Sequence, residues 1–493
     1  MKDHLPPQLI GQVLPEKACQ ALAAWEGPIY FSGGVVRDWL LGRTPADIDL
    51  TVANGALRLA RELANFMAAA FVPLSAAEGV ARVVGADFCL DIAQFREGMT
   101  SIEADLGRRD FTVNALAVGF DPKTQTFADQ GRLIDPLSGL ADLKAGIIRL
   151  AHPQAFASDP LRLLRAYRFR AVFDWVIEPG TRKAIRGQAA RLGEVSAERV
   201  TSELDRLLVG PAAFTAVREM ADDGVLLAIF PELAPAVGLR QPASHHLDVF
   251  DHSLETLRQM GVIIERPQDF FPGLAGEIVD YLARPRQIIR LKYAALLHDL
   301  GKTVTVAEKN GRITFHHHDQ AGAELLAAIG RRLRFSHDDC QRIGRLVGLH
   351  MWPFHLYNAS LKTRITPKAI LKLGRAAGDD LIGLFLLVMA DSLAGQGPGK
   401  PPGMEAGVAA LFAEVYRTYT ARLAPLLAIP LLTGDDLIRR LGLTPGPLFA
   451  RLLDRLQEQR AARPGMTREE ALRWASEFTK EQAKTDVISP AGD

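Results

Sequence analysis

The chain has 493 residues, and at about 100–200 residues per domain this length predicts three or four domains. Its 58 Lys and Arg residues and 57 Asp and Glu residues leave a formal net charge of +1, which argues against a uniformly basic nucleic-acid coat but not against a local basic groove. Hydrophobic residues make up 48% of the chain, and no apolar run approaches the roughly 18 uncharged residues of a membrane span. The first residues lack the apolar stretch of a signal peptide, and the three cysteines lie too far apart for a disulfide framework or a CxxC metal site. We therefore expect a multidomain cytoplasmic protein with no membrane partner and no obligate protein partner.

The first 150 residues mix short β-like runs with helical stretches, which predicts an α+β head with a mixed sheet. From about residue 151 apolar residues recur at helical spacing, so the rest is predicted to be helical. The Gly/Pro-rich segment 394–403 cannot hold a helix and is interpreted as a linker. Five head strands are predicted, in segments 28–33, 47–52, 80–85, 88–95 and 112–120. The predicted domains are a head over 1–150, a helical neck over 151–235, a further helical domain over 236–393 and a helical tail over 404–493.

Two aspartates in one predicted strand form the first chemical signal. Asp47 and Asp49 are separated by one residue, so their side chains share one face of a strand and repel each other unless a cation lies between them. Carboxylate oxygens suit Mg²⁺, which in turn takes substrate phosphates. Upstream, the Gly33-Gly34 turn allows a close approach to an anion, and Arg37 can pair with a phosphate. The pattern favours a phosphate-transfer site over a strand end with two solvated aspartates.

The segment GGVVRDWLLGRTPADIDL resembles the signature of the class II tRNA nucleotidyltransferase and bacterial poly(A) polymerase superfamily. Four further segments resemble the later motifs of that family in order: 106–118, 133–150, 158–173 and 197–208. The resemblance implies a nucleotidyltransferase fold in the head, followed by an all-α neck and later helical domains. It also implies ATP and CTP as substrates, Mg²⁺ as the cofactor and the tRNA 3′ end as the acceptor.

The motifs also suggest roles for single residues. Asp47 and Asp49 are the expected metal ligands; Asp91, in a neighbouring predicted strand, either joins them as a third catalytic carboxylate or only supports its strand. Arg109 is expected to contact the nucleotide phosphate or sugar. The nucleotide-binding set expected from the motifs is Gly33, Gly34, Arg37, Arg109, Asp110, Asn114, Asp159, Arg162, Arg165 and Arg168.

The fourth motif carries charges near three-residue spacing on a predicted helix, so Asp159, Arg162, Arg165 and Arg168 are expected to share a broad face. In the family, residues matching Asp159 and Arg162 pair with the incoming base in place of a nucleic-acid template, and those matching Arg165 and Arg168 help to hold the nucleotide. The chain departs from the family at Ser158, where Glu is common, and this puts the positioning of the neighbouring residues in doubt. Over residues 162–199 nine basic side chains outnumber four acidic ones, which predicts a local basic groove for an RNA backbone.

A second constellation lies in the helical region that follows. His252, His298-Asp299 and Asp391 fall on separate predicted helices and can converge on one metal ion. Their order resembles the HD phosphohydrolase superfamily, so the 236–393 domain is expected to be an HD domain that binds a divalent transition metal such as Mn²⁺, Ni²⁺ or Fe²⁺. His318 and His350 are candidates for a second metal site or for binding a substrate phosphate. The alternative is a degenerate HD bundle that serves only as scaffold.

The tail contains a GLTPGP break that is expected to place Arg451 and Arg455 on its second helix, either to touch the tRNA body or as a packing or dimer element. We predict template-independent addition of CCA, or its terminal part, to the tRNA 3′ end, with phosphohydrolase activity in the HD domain. An A-adding enzyme or a poly(A) polymerase is the nearest alternative. A protein uridylyltransferase-like regulator is the alternative from another class.

Overall fold

The computed structural model describes residues 4–45 and 47–488, and of Glu97, Lys309 and residues 483–488 it describes the backbone alone. Residues 1–3 and 46 of the predicted head, and 489–493 of the predicted tail, therefore lie outside the described residues. The chain divides into two compact units, Met1–Pro231 and Glu232–Asp493. The four finer domain boundaries stay predictions.

A mixed β-sheet organises the first unit. Its strands are β1 (Ile29–Ser32), β2 (Ile48–Val52), β3 (Ala70–Ser75), β4 (Val80–Val84), β5 (Cys89–Gln94), β6 (Ala117–Asp121), β7 (Thr126–Phe127) and β8 (Leu133–Ile134). They lie in the order β3-β4-β5-β2-β1-β6-β7, with β8 also paired to β6. Strands β2 and β5 are parallel, whereas the other pairs are antiparallel.

The sheet has one apolar face and one polar face because its central strands alternate. Ile48, Leu50 and Val52 of β2 are buried, and Asp49 and Thr51 fall between them on the opposite face. The alternation that builds the core thus also presents the carboxylates on a single face of the sheet.

Helices surround this sheet and form the rest of the first unit. They are α1 (Glu16–Leu22), α2 (Gly34–Leu40), α3 (Ala56–Met67), α4 (Ile102–Leu106), α5 (Gly139–Ala145), α6 (Ala155–Ser158), α7 (Leu161–Phe173), α8 (Pro179–Arg186), α9 (Ala197–Leu208), α10 (Ala213–Asp222) and α11 (Val225–Ile229). The two-residue strands β9 (Ile147–Ile148) and β10 (Val176–Ile177) pair in parallel. Helix α7 packs against α9 and α10.

The second unit is mostly helical. Its helices are α12 (Val249–Glu265), α13 (Pro267–Phe270), α14 (Ala275–Leu282), α15 (Gln287–Leu297), α16 (Lys302–Thr305), α17 (His318–Arg332), α18 (His337–Leu349), α19 (Met351–Ser360), α20 (Pro367–Ala377), α21 (Leu381–Ala394), α22 (Met404–Thr418), α23 (Ala424–Ala428), α24 (Gly434–Leu441), α25 (Pro447–Ala462) and α26 (Arg468–Ile488). A small hairpin joins β11 (Ala307–Lys309) to β12 (Arg312–Thr314). Helix α21 is apolar on almost every side and is buried against α12, α15 and α22, as expected for a central helix.

The predicted fold class, an α+β head followed by helical domains, is confirmed, but three details of the prediction were wrong. The sheet is larger than five strands, because β3 contains Pro73 and lies on the edge without clear alternation, and β7 and β8 have two residues each. Strands also occur beyond residue 151, again as short pairs that leave no periodic signal. Asp159 lies outside helix α7, in extended backbone just before it.

The predicted linker is irregular but not loose. The backbone N–H groups of Gly397 and Gly399 donate to the carbonyls of Ser244 and Ala243, at 2.9 Å in each case. The segment therefore forms a wall of the second unit. Among the described residues, no helix is both long and apolar enough to cross a membrane.

Candidate active sites

A cleft of about 750 Å³ opens on the polar face of the sheet in the first unit. Its size falls in the range of small-ligand sites in proteins. Every residue predicted for catalysis and nucleotide binding lines it: Gly33, Gly34, Arg37, Asp47, Asp49, Asp91, Arg109, Asp110, Asn114, Asp159, Arg162, Arg165 and Arg168. The structure thus brings together residues spread over more than 130 positions of sequence.

The two central aspartates lie at the start of β2. Asp47 is exposed and Asp49 is half-buried, with the apolar Ile48 turned into the core between them. Burial raises the pKa of Asp49 to about 6, and the negative charges of Asp91 and Asp47 act in the same direction against the opposing charge of Arg109. A bound hard cation would stabilise a carboxylate that is buried beside other negative charges, so Asp49 is a suitable metal ligand.

Arg109 explains why residue 33 is glycine. Gly33 has φ +75°, and a Cβ there would lie only 2.3 Å from Nη1 of Arg109. The guanidinium donates to the Ser32 hydroxyl at 2.6 Å and to the Thr51 hydroxyl at 3.3 Å, so it lies over the paired strands β1 and β2. The space above the turn, which the sequence suggests for a ligand anion, therefore already holds a cation that faces Asp49.

A buried hydrogen-bond network fixes the opposite wall of the cleft. Asn114 accepts from Nη1 of Arg37 at 2.7 Å and donates to Asp110 at 3.0 Å, and Asp110 pairs with Arg165 at 2.8 Å. Burial acts to raise the pKa of Asp110, but Arg165, Asn114 and further donors outweigh it and hold that pKa well below its usual range. The Arg37 guanidinium also lies 5.0 Å from the Phe173 ring centroid. Arg37 therefore has structural partners in addition to its place in the cleft.

The predicted base-reading pair lies in the same cleft, held by different partners. One Asp159 oxygen pairs with Arg199 at 2.9 Å. Arg162 donates to the carbonyls of Arg108 and Ala155 and, at 3.3 Å, to the hydroxyl of Ser158. Ser158, the position that departs from the family pattern, thus still contacts Arg162.

The arginines of residues 162–199 are the basis of the predicted local basic groove. Most of them pair with carboxylates inside the first unit: Arg165 with Asp110, Arg168 with Glu203, Arg170 with Asp174 and Glu219, Arg182 and Arg186 with Asp223, Arg191 with Glu194, and Arg199 with Asp159. Much of the local basic excess is therefore neutralised, because acidic partners from more distant segments fold back onto it. Charge counted along one segment overlooks those partners.

Sequence reasoning also missed several cleft residues. Arg82, Arg96 and Arg206 line the cleft, and Ser32 and Thr51 hold Arg109. Arg82 lies within the predicted strand 80–85 and Arg96 directly follows the predicted strand 88–95, but neither belongs to a recognisable motif. Arg82 lies on β4, two strands away from the Asp-x-Asp strand β2 in the sheet order, so a rule that considers only the neighbouring strands would not find it.

The second unit gathers the predicted metal ligands at one buried centre. They come from separate helices: His252 from α12, His298 and Asp299 from the end of α15, His318 from α17, His350 from the α18–α19 junction and Asp391 from α21. In two triads, His252–His298–Asp299 and Asp299–His318–His350, the ligand atoms lie within 4.8 Å of one another. Each triad could hold a metal ion.

Asp299 belongs to both triads through different oxygens. Its Oδ2 lies 3.5 Å from Nε2 of His252 and 3.3 Å from Nε2 of His298. Its Oδ1 lies 3.5 Å from Nε2 of His318 and 3.8 Å from Nε2 of His350. One carboxylate can therefore bridge two neighbouring cation positions.

Backbone carbonyls orient three of the histidines. In each, ring Nδ1 lies against the carbonyl three residues earlier: His298 against Ala295 at 3.0 Å, His318 against Phe315 at 2.8 Å and His350 against Val347 at 2.7 Å. A carbonyl only accepts, so the neutral ring carries its proton on Nδ1 and presents the Nε2 lone pair to the centre. The Nε2 atoms of His318 and His350 are 3.2 Å apart, an arrangement that a shared cation would stabilise.

Asp299 and Asp391 carry the negative charge of the centre. Burial acts to raise the pKa of Asp299, but His298 and Lys302 hold it well below its usual range; His252 and His298 do the same for Asp391. Lys302 donates to Asp299 at 2.6 Å, and Asp391 lies 3.0 Å from Nε2 of His252.

A cavity of about 330 Å³ opens onto this centre. Its lining includes the apolar side chains of Pro242, Phe315, Met351, Phe354 and Met404, together with Lys302 and Lys400. It also includes His245, which sequence reasoning missed and whose ring nitrogen lies within 4.8 Å of the ligand atoms of His252 and Asp391. Burial, with Lys302 and His252, lowers the pKa of His245 to about 4. His245 lies ahead of α12, so no helical spacing connects it with the other ligands.

Three family models match the chain. They are the Poly A polymerase head domain over residues 29–149, the "Probable RNA and SrmB- binding site of polymerase A" over 176–237, and the HD domain over 249–393.

Curated relatives match over most of the chain. An A-adding tRNA nucleotidyltransferase from Deinococcus radiodurans is 35% identical over 457 residues, covering 90% of this chain and 95% of the relative. A CC-adding tRNA nucleotidyltransferase from Thermus thermophilus is 31% identical, covering 89% of this chain and 91% of the relative. The CCA-adding enzyme of Thermotoga maritima, solved with tRNA, shares the fold with a TM-score of 0.60 at 22% identity, covering 96% of this chain and 99% of that structure. The chain belongs to the family of tRNA nucleotidyltransferases and carries an HD domain in its second unit.

Proposed function

We propose that the first unit adds nucleotides, without a template, to the 3′ end of tRNA, forming CCA or its terminal part from CTP and ATP. The observation that carries the proposal is the single cleft that contains the Asp47–Asp49 pair together with Asp159 and Arg162. A bare carboxylate pair suits many phosphate chemistries; the nearby Asp and Arg add acceptors and a rigid set of donors for the edge of a base.

The residues of the cleft fit a Mg²⁺ ion, because Asp47 and Asp49 present oxygen ligands on one face of the sheet. Burial and the neighbouring negative charges raise the pKa of Asp49, so a bound cation would stabilise its carboxylate. Asp47 and Asp49 would hold the metal, which when bound would supply activation of the attacking hydroxyl and stabilisation of charge on the phosphates. Arg109 and Arg165 would hold the phosphates near β1 and α7. The RNA 3′-hydroxyl would attack the α-phosphorus, and pyrophosphate would leave in line.

Asp91 fits a supporting role better than that of a third ligand. Both of its oxygens accept hydrogen bonds from Arg82, at 2.7 and 2.9 Å, so its charge is already balanced. Asp159 and Arg162 are proposed to read the base, with Ser158 and Arg199 holding them in place.

A-only addition is the second candidate, because the relative from Deinococcus radiodurans that is covered over 95% of its length is named A-adding. The test uses three tRNA acceptors that lack the last one, two or three nucleotides, each with labelled CTP or ATP and Mg²⁺. Labelled C and then A on the shortest acceptor supports full CCA addition, whereas A only on the acceptor that ends in CC supports the A-adding candidate. Long A tails on an unrelated RNA would contradict the proposal.

We further propose that the HD centre hydrolyses small phosphoesters, either phosphomonoesters or 2′,3′-cyclic phosphates. The carrying observation is the ligand set itself, with two facing Nε2 atoms and a carboxylate that reaches both triads. Its mixed His and carboxylate donors fit divalent transition metals such as Mn²⁺, Ni²⁺ or Fe²⁺, which would supply Lewis acidity and an activated water. Lys302, paired with Asp299, and Lys400, paired with Glu405, would place cationic groups beside the anionic substrate in the cavity.

The test loads the full-length protein with Mn²⁺ or Ni²⁺ and measures hydrolysis of 2′,3′-cyclic AMP and of p-nitrophenyl phosphate. His298→Ala should abolish hydrolysis and reduce the metal content, whereas His337→Ala, at an exposed position on α18, should not. A loaded wild-type protein without hydrolysis would favour the scaffold alternative.

A further inference from the structure

No motif predicts Arg82, one of the arginines that line the cleft. It lies on β4 directly opposite Asp91 of β5, and Asp91 in turn lies in parallel register with Asp49 of β2. Its Nε and Nη2 donate to the two Asp91 oxygens at 2.7 and 2.9 Å. Three adjacent strands thus present Arg82, Asp91 and Asp49 side by side on one face of the sheet.

The two hydrogen bonds from Nε and Nη2 to Asp91 form a fork that leaves one edge of the Arg82 guanidinium available. Arginine has five N–H donors, and the fork uses two of them. Among the backbone and side-chain groups that the structure describes, Nη1 of Arg82 has no hydrogen-bond partner, and 37% of the side chain is exposed. A planar cation that is fixed on one side and open on the other suits a phosphate oxygen better than a flexible ammonium does.

The sheet order places Arg82 away from the groups proposed to hold the nucleotide. In the order β4-β5-β2-β1-β6, Arg82 belongs to the first strand. The Gly33–Gly34 turn follows β1, and Arg109 contacts Ser32 of β1 and Thr51 of β2. Asn114, with its Arg37 and Asp110 partners, directly precedes β6. Asp49, at the centre of the order, separates the two groups.

In-line transfer needs the attacking hydroxyl and the leaving pyrophosphate on opposite sides of the α-phosphorus. If the nucleotide phosphates lie on the β1 side of Asp49, the acceptor strand must approach from the β5–β4 side. We propose that Arg82 binds a backbone phosphate at the 3′ end of the acceptor RNA, and that Asp91 is the residue that positions it. This inference rests on the proposed nucleotidyl transfer by the same cleft.

The test separates acceptor binding from nucleotide binding. Arg82→Ala and Arg82→Lys are compared with the wild type and with Arg58→Ala, a control on α3 whose side chain is 71% exposed and lies outside the cleft. Affinity for an extendable tRNA is measured by fluorescence anisotropy without nucleotide at several salt concentrations, and KM for the nucleotide is measured separately. The same tRNA shortened by four further 3′ nucleotides serves as the matched RNA.

Arg82→Ala is expected to weaken binding of the full acceptor about fivefold to tenfold and to reduce the slope of log affinity against log salt by about 0.7 to 1. Affinity for the shortened tRNA should change little in Arg82→Ala, and the KM of the nucleotide should stay within about twofold of the wild type. Arg82→Lys should restore part of the affinity for the full acceptor. A merely structural role would not change the salt slope. An unchanged tRNA affinity with a raised nucleotide KM, or an equal loss on the shortened tRNA, would overturn the inference. Failure of the wild type to extend any acceptor would instead overturn the proposed function. That failure is seen in the addition assay and not in the binding assay, so the two outcomes can be distinguished.

Discussion

The turn between β1 and α2 offers a quantitative test of the cleft, because two neighbouring glycines there face different constraints. Gly33 has φ +75° and ψ −127°, a conformation that a residue with a side chain adopts at a cost of about 1–3 kcal/mol. The added Cβ would also lie 2.3 Å from Nη1 of Arg109, so the guanidinium would have to leave the Ser32 hydroxyl. A lost hydrogen bond to a charged group adds about 1.5–3 kcal/mol. We therefore expect Gly33→Ala to lower the free energy of unfolding by about 2.5–6 kcal/mol in total.

Gly34→Ala is the matched control. A Cβ at Gly34 would meet Asp49 at 3.5 Å and Arg37 at 3.7 Å, which is ordinary contact, and position 34 begins a helix. Its free energy of unfolding should change by no more than about 1 kcal/mol, in either direction. The assay is urea unfolding of both variants, in the wild-type and the Arg109→Ala backgrounds. In the Arg109→Ala background Gly33→Ala should cost only the backbone part. Equal stability of the two alanine variants, or an unchanged cost without Arg109, would refute the steric argument.

Three further predictions concern other parts of the chain. Ser158→Ala should raise the KM of the nucleotide about twofold to fivefold with little change in kcat, because Arg162 loses a hydroxyl contact but keeps its carbonyl contacts. Steady-state kinetics would detect the rise in KM, and a change in kcat alone would contradict the prediction. Gly301→Ala should reduce both hydrolysis by the HD centre and the stability of the second unit, because the added Cβ would lie 1.9 Å from the His318 carbonyl oxygen. Nucleotide addition should continue. Normal metal content and normal hydrolysis in the variant would contradict this prediction. Glu458 on α25 pairs with Lys368, Lys372 and Arg455, which together overcome the opposing effect of burial and lower its pKa from 4.5 to about 2. Because the pKa of Glu458 is lower in the folded state, the stabilisation by its ion pairs is present above pH 4.5 and is lost as pH falls towards 2. Glu458→Gln should therefore lower the free energy of unfolding by about 1–2 kcal/mol at pH 7. Chemical denaturation should find a smaller difference between the variant and the wild type at pH 3.5.

The segments of the main strands could be predicted from the sequence, whereas their order in the sheet could not. The alternation of Ile48, Leu50 and Val52 against Asp49 and Thr51 defines β2 without any structure. In contrast, β3 has most of its side chains exposed on the sheet edge, so no burial pattern records it. Pairings of two residues, such as β9 with β10, depend on the surrounding fold rather than on local sequence.

Most members of both candidate sites could be read from the sequence, but Arg82, His245 and the contacts that hold the sites together could not. The resemblance indicated Asp159 and Arg162, whereas the contact of Asp159 with Arg199 spans 40 residues and follows no local spacing. Arg82 was invisible for the same reason, since its relation to Asp91 depends on the β4–β5 register. In the HD centre the four first ligands have a recognisable order, but His245 joins them only through tertiary folding.

The most direct test of the account is nucleotide addition to the three shortened tRNAs by Asp49→Asn and His298→Ala, measured beside the wild type with labelled CTP and ATP. The account predicts that Asp49→Asn loses addition by at least about a thousandfold while keeping the metal content and hydrolysis of the HD centre. His298→Ala should show the opposite pattern, with normal addition and no hydrolysis. Addition that survives Asp49→Asn, or that disappears with His298→Ala in a folded protein, would contradict the assignment of nucleotidyl transfer to the cleft of the first unit.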